Sequence, residues 1–408
     1  MKQSVVILIV QLFNALASFF VTIYIASSVS AHDYSLFAVY QIVITFIAAF
    51  SVLGHETYIS RNALRWKEIG CNNKIRVNIS KAVISRVVSW LVLLLPALWY
   101  VDYFLSEKYS QSNNGVGYFF VLAGLGTSLL QSSSLILKGL NRYIESISIN
   151  VIGMLLVKLI SLLVFKKYGF DYYLICMIFG VVIVSLYSLS RIKEYISLKN
   201  LKIKGLMRFK KRSDFIFSAY CQYLTSYFDR LLLSFFVTPE LLGTYNLIKQ
   251  IQEMAKLFIE GFFDPLTQRL VVFKNENELL KVKLAELFKI QIVICVLAFV
   301  FVMFFVVNQS IIFGFLNVSK YPNFLEYITY ACLASFLSIC YKVKLNSNAL
   351  LLKSNILFKY NLVTLFVSIL VLVIFVGFIP LNHLYGNRLV LEVIFSFVNL
   401  FLFRKFLH

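Results

Sequence analysis

Twelve long, predominantly apolar runs decide what this chain can fold into. They lie at 5–27, 35–54, 83–104, 117–137, 146–165, 172–190, 215–236, 240–262, 287–307, 324–341, 358–379 and 387–403. A helix of about 20 residues crosses roughly 30 Å of hydrocarbon. A barrel strand needs only about 10 residues and alternates in polarity, whereas these runs are longer and apolar on most faces. Hydrocarbon offers no hydrogen bonds, so each segment must satisfy its own backbone, and the runs predict helices. Composition agrees: the 408 residues are 60% hydrophobic and 14% charged, against about 25% charged in an ordinary soluble domain. The prediction is an all-α integral membrane protein of about twelve spans.

A net charge of +20 raises the question of nucleic acid, and the placement of the charge answers it. With the N-terminus inside, the cytoplasmic segments hold 27 of the 39 Lys and Arg, the outer loops hold 4 and the spans hold 8. That asymmetry is the positive-inside pattern, so both termini are predicted to be cytoplasmic and no nucleic-acid partner is expected. The basic loops set topology first and attract anionic headgroups second.

The first run reads as a span rather than a signal peptide. It is longer than an ordinary h-region, and only Lys2 precedes it. The six cysteines contain no C-x-x-C, so neither a metal site nor a disulfide framework is expected. No P-loop, G-x-S-x-G or H-E-x-x-H is present, which argues against nucleotide hydrolysis and zinc chemistry by this chain. No cofactor is expected, and coupling to a Na⁺ or H⁺ gradient is left open.

The most basic stretch, RIKEYISLKNLKIKGLMRFKKRSD at 191–214, falls at the middle of the span count. It divides the chain into halves, 1–198 and 199–408, of six helices each. Displacing the chain on itself by 208 residues sets Val29 on Val237, Phe37 on Tyr245, Glu56 on Asp264 and Arg61 on Arg269. Six helices per half start both copies on the same side, so the repeats are parallel, about an axis along the membrane normal.

Phe228-Asp-Arg-Leu-Leu-Leu233, a turn at Thr238-Pro239, and Glu240-Leu-Leu-Gly-Thr-Tyr-Asn246 together resemble the opening of the second half of polysaccharide flippases. These are members of the multidrug and oligosaccharidyl-lipid/polysaccharide (MATE-like) exporter superfamily. Ala31-His-Asp-Tyr-Ser-Leu-Phe-Ala38, Gly54 and Arg61 echo it in the first half, with Ser35 where that pattern has glycine. In size the chain is similar to the O-antigen translocases; peptidoglycan-precursor flippases usually carry two further helices. The resemblance implies two six-helix bundles around a central cavity in a bacterial inner membrane. By alternating access they would move an undecaprenyl-diphosphate-linked oligosaccharide repeat to the outer leaflet, beside a polysaccharide polymerase and a chain-length regulator.

The charges inside the spans are the candidate substrate site. Asp229 and Arg230 lie roughly 10 Å below the outer end of the seventh span, and Lys249 roughly 14 Å below that of the eighth. Lys249, Glu253, Lys256 and Glu260 follow one helical face. Each charge in lipid costs about 2.5–3.5 kcal/mol, so these side chains, with Lys158 of the fifth span, are expected to face protein or water. They either pair structurally, Asp229 with Lys249 and Glu253 with Lys256, or Arg230 and Lys158 attract a diphosphate. Tyr220, Tyr223, Tyr227 and Arg230 form a stripe that either packs or stacks on sugars, and Gln11, Asn14, Ser18 and Thr22 form a polar stripe on the first span. Glu56, Arg61, Asp264 and Arg269 are gate candidates, with a solvated helix-end ion pair as the other reading. Gln131-Ser-Ser-Ser134 is expected to bond to neighbouring helices.

Two rivals are distinguishable. An oligosaccharide polymerase needs a sizeable outer loop, and the longest here, 105–116 and 308–323, are short and poor in acids. A cation-coupled multidrug antiporter of the same superfamily would carry an embedded acid on the first span, which has none.

Overall fold

The computed structural model describes residues 2–52, 55–108, 116–196, 213–268, 270, 277–314, 320–351 and 354–407, with some side chains in these ranges also left undescribed. Its elements are helical, and all twelve expected spans are present. They are α1 (Lys2–Ser28), α2 (Ala31–Phe50), α4 (Asn72–Lys108), α5 (Val116–Gly139), α6 (Tyr143–Ile147) continued by α7 (Met154–Tyr168), α8 (Phe170–Ser190), α9 (Ser213–Phe236), α10 (Pro239–Gln268), α11 (Asn277–Gly314), α12 (Phe324–Leu351), α13 (Ser354–Phe378) and α14 (Gly386–Leu407). The fifth span carries a π-helical stretch at Ser148–Gly153, between α6 and α7.

Eight of the described helices are long and apolar enough to cross a membrane unaided. Outside that set are α9, α10 and α14, which carry Asp229, Arg230, Lys249, Glu253, Arg388 and Glu392. The spans that are too polar for lipid are the ones whose charges are turned into protein, as the insertion cost requires. The chain is a multi-pass membrane protein.

One element was not expected. Helix α3 (His55–Glu68) follows the second span. It buries Ile59, Ala63 and Trp66 with Ile75, Ile79 and Ile136 in one apolar cluster. The i, i+4, i+7 spacing of those three residues is an amphipathic stripe that their polar neighbours mask in a hydropathy scan.

The chain contacts divide into two compact units, 1–35 with 232–408, and 36–231. This is a division by packing, and the halves 1–198 and 199–408 are a division by repeat; they follow different boundaries. In unit 36–231, serines join the helices: Ser133 to Ser188 at 2.5 Å, Ser134 to Ser146 at 2.7 Å, and Ser51 to Ser128 at 2.6 Å. Gln131, which accepts from Tyr223, Ser133 and Ser134 therefore bond to neighbouring helices, as expected, whereas the buried Ser132 hydroxyl has no partner among the described residues.

In unit 1–35/232–408, Tyr321 donates to the Ala26 carbonyl at 3.0 Å and Tyr34 donates to Gln250 at 3.2 Å. Here the motif glycine has a physical reason. A Cβ on Gly243 would stand 2.3 Å from the Ala31 carbonyl oxygen, so α10 approaches the start of α2 too closely for any side chain. Ser35, by contrast, is accommodated: its hydroxyl donates to the His32 carbonyl of its own turn.

Candidate functional site

Within unit 36–231, α9 carries three of the expected substrate residues on one side. Arg230 is 1% exposed. Its Nη1 donates to Gln41 Oε1 of α2 at 2.6 Å, and its guanidinium lies 4.9 Å from the Tyr227 ring centroid. A hydrogen bond and a cation–π contact thus fix the fork in one orientation. Tyr223 and Tyr227, with Thr45, Phe46 and Phe50 of α2, line a small, open apolar cleft. The hydroxyls of the stripe bond to protein: Tyr220 to the Phe50 carbonyl and Tyr223 to Gln131, both at 3.2 Å. Tyr220 and Tyr223 are therefore anchored, and Tyr223 and Tyr227 line the cleft.

A second charge centre lies in the same unit. Glu56 is buried and accepts from Arg86 Nε at 2.6 Å. Arg86 Nη1 donates to the Ala48 carbonyl at 2.7 Å, to Ser51 at 2.9 Å and to Ser128 at 3.2 Å. Both ends of the pair are fully buried. Burial alone pushes the Glu56 carboxyl up, but the adjacent Arg86 charge and hydrogen bond outweigh it and hold the group below the usual carboxylate range. Glu56 is in an ion pair, as one of the two expected readings has it, but the pair is buried and not solvated. Glu56 starts α3 and points into the helices rather than to water, because Arg86 of α4 needs a counter-charge there.

Unit 1–35/232–408 has its own polar interior. Lys249 is buried and Glu253 is half-buried on α10. On the same helix Gln252 accepts from Tyr385 at 2.7 Å, and Tyr245 donates to Asn387 at 3.5 Å and receives Arg388 Nε at 3.4 Å. One turn beyond Arg388 on α14, Glu392 accepts from the Tyr341 hydroxyl of α12. Further along, Tyr360 of α13 and Asn399 bond to each other, with Asn399 Nδ2 donating at 2.9 Å.

Of the remaining expected residues, Asn14 is half-buried on α1, and its Oδ1 has no hydrogen-bond partner among the described residues. Lys158 is half-buried on α7, just past the π-helical stretch. The side chains of Arg61, Lys256, Asp264 and Arg269 lie outside the described residues. Sequence reasoning missed Gln41, Arg86, Arg388 and Glu392. The last two left a signal: an acid and a base four residues apart inside an apolar run.

The model of one family, described as polysaccharide biosynthesis protein, matches residues 1–265. The chain belongs to that family. The match includes Glu56, Arg86, Lys158, Arg230, Lys249 and Glu253, and ends before Tyr341, Arg388 and Glu392. No curated protein matches in sequence.

Among solved structures, an inward-facing multidrug resistance MATE family transporter of the MOP superfamily is similar at TM-score 0.70. It is 12% identical, with 98% of this chain and 97% of that one covered. A MOP superfamily transporter from Pyrococcus furiosus gives 0.70 at 13% identity, covering 98% and 94%. The lipid II flippase MurJ gives 0.69 at 15% identity, covering 98% and 87%. The fold of this family member is thus the membrane-transporter fold of that superfamily.

Proposed function

We propose that the chain flips an undecaprenyl-diphosphate-linked oligosaccharide from the cytoplasmic to the outer leaflet of a bacterial inner membrane, by alternating access, for O-antigen or a related surface polysaccharide. The observation that carries this reading is a polysaccharide biosynthesis family match on a transporter fold. One structural neighbour, MurJ, is itself a lipid II flippase. Within unit 36–231, Arg230 of α9 and Lys158 of α7 are embedded bases that suit an anionic headgroup. In this reading they hold the diphosphate, and the rings of Tyr223 and Tyr227 meet the sugar. A polymerase and a chain-length regulator would then consume and measure the product.

The test is complementation of a flippase-null strain, scored as surface polysaccharide per unit of protein in the membrane. Arg230→Lys keeps the charge but loses the two-pronged donor and the planar contact with Tyr227. Export should fall by about tenfold, the equivalent of roughly 1.4 kcal/mol. Full export by Arg230→Ala and by Lys158→Ala at normal abundance would remove both bases from the site.

A further inference from the structure

We propose that Cys295 and Cys340 are a redox pair, joined by oxidation into a disulfide that ties α11 to α12. Their separation of 45 residues hides the pair in the sequence. The packing of two consecutive, antiparallel helices brings it together.

The seam between the helices repeats at each turn of α11. Gln291 grips the α12 backbone at two points: its Nε2 donates to the Cys340 carbonyl, and its Oε1 accepts from the Val343 N–H at 3.0 Å. One turn on, the Cys295 and Cys340 sulfurs stand 3.8 Å apart. A further turn on, the Phe299 and Phe336 ring centroids are 5.5 Å apart. Near the other end of the seam Thr329 donates to Gln309 at 2.9 Å. Contacts on both sides of the thiols thus fix the register in which they meet. Disulfide sulfurs are about 2.05 Å apart, so from 3.8 Å each has less than about 1 Å to travel.

The hydrogens suit the reaction. Cys340 Sγ–H donates to the Phe336 carbonyl of its own helix at 3.6 Å. Its sulfur lone pairs are left to face Cys295, whose S–H donates to them.

The surroundings select the oxidant. Cys295 is half-buried at the edge of an apolar cluster with Phe263, Leu287 and Val343. On either side of it α11 turns Ile292, Val296 and Phe299 outward, which in a membrane means toward lipid. A charged aqueous disulfide would have to enter hydrocarbon to reach the pair; a lipid-soluble quinone meets it there. In the net step both S–H bonds break and one S–S bond forms. Each sulfur gives up one electron, and the quinone takes both electrons and both protons and leaves as hydroquinone. The same burial keeps the bridge away from the aqueous thiols that reduce cytosolic cysteines. The bridge would staple a helix that packs chiefly on α12 and otherwise borders lipid. This inference does not depend on what the chain transports.

The test uses the full chain in lipid vesicles, reduced, exposed to a short-chain ubiquinone, then denatured and alkylated with a maleimide for mass mapping. Of six thiols the wild type should lose two and yield a peptide pair joined at Cys295 and Cys340, with dithiothreitol restoring both thiols. Cys295→Ser and Cys340→Ser should keep every thiol they have. Gln291→Leu should slow bridging several-fold, because the grip on the Cys340 backbone is lost while both thiols remain. The bridged wild type should melt at a higher temperature than the reduced form, a difference absent in Cys295→Ser. A wild type that keeps all six thiols under the quinone would overturn the quinone as oxidant. One that also keeps them under a membrane-permeable azo oxidant would overturn the pair. Equal loss of thiols in Cys295→Ser would assign the oxidation to other cysteines and overturn the pair as well. If the serine variants do not fold, the joined peptide of the wild type decides: its presence supports the pair and its absence removes it.

Discussion

Both units bury a carboxylate near an arginine, and they satisfy it in different ways. Glu56, in unit 36–231, accepts from Arg86 Nε, and Arg86 Nη1 is engaged by a carbonyl and two serines, while Arg86 Nη2 and Glu56 Oε2 have no hydrogen-bond partner among the described residues. Glu392, in unit 1–35/232–408, has Arg388 a turn away and the hydroxyl of Tyr341 in contact. The first acid accepts from a guanidinium and the second from a phenol, so two buried carboxylates meet partners of different chemistry.

The largest expected effect comes from removing the base of the fixed pair. Arg86→Met should leave Glu56 buried without its counter-charge and destabilise the protein by about 3–5 kcal/mol. The readout is the thermal transition of detergent-solubilised protein followed by size exclusion. Arg86→Met combined with Glu56→Met should recover much of the loss, since a well-packed apolar pair often replaces a buried ion pair at little cost. A double variant no better than the single one would mean that the pair is not the unit holding α3.

A second comparison sets the two acids against each other. Glu56→Gln leaves Arg86 buried without a counter-charge and should cost about 1–3 kcal/mol. Because the Glu56 carboxyl is held below the usual range, its contribution is full at neutral pH and is lost as pH falls through that depressed value. Glu392→Gln should cost less than about 1 kcal/mol, because the amide carbonyl still accepts from Tyr341. Equal losses in the same melting assay would erase the distinction between the two sites.

The sequence made the fold legible because membrane spans are written in length and hydropathy, and no tertiary partner is needed to read them. The α5 serines were legible as interhelical contacts for a similar reason: in an apolar run, a hydroxyl must bond to its own turn or to a neighbour. The sites were less legible. Arg86 sits close to the cytoplasmic end of its span, where a base reads equally as a topology charge, and only the fold brings Glu56 to it. Gln41 is one polar residue in an apolar run, and its role depends on Arg230, nearly two hundred residues away in sequence. Arg388 and Glu392 were visible as an i, i+4 pair, but nothing in the order of residues places Tyr341 against them.

The smallest expected effect separates redundancy from dependence. Ser128 bonds Ser51 at 2.6 Å and receives Arg86 Nη1 at 3.2 Å. Ser128→Ala removes both contacts, yet Arg86 Nη1 keeps the Ala48 carbonyl at 2.7 Å and Ser51 at 2.9 Å. An interhelical hydrogen bond in a membrane protein averages about 0.6 kcal/mol, and here the donor that loses it has two others, so the cost should stay near or below that value. Tyr341→Phe is the matched case in the other unit, where the hydroxyl donates to the buried Glu392 carboxylate. It should cost more than Ser128→Ala, about 1–1.5 kcal/mol. A Ser128→Ala loss as large as that of Tyr341→Phe would show that the Glu56 site is no more redundantly held than the Glu392 site.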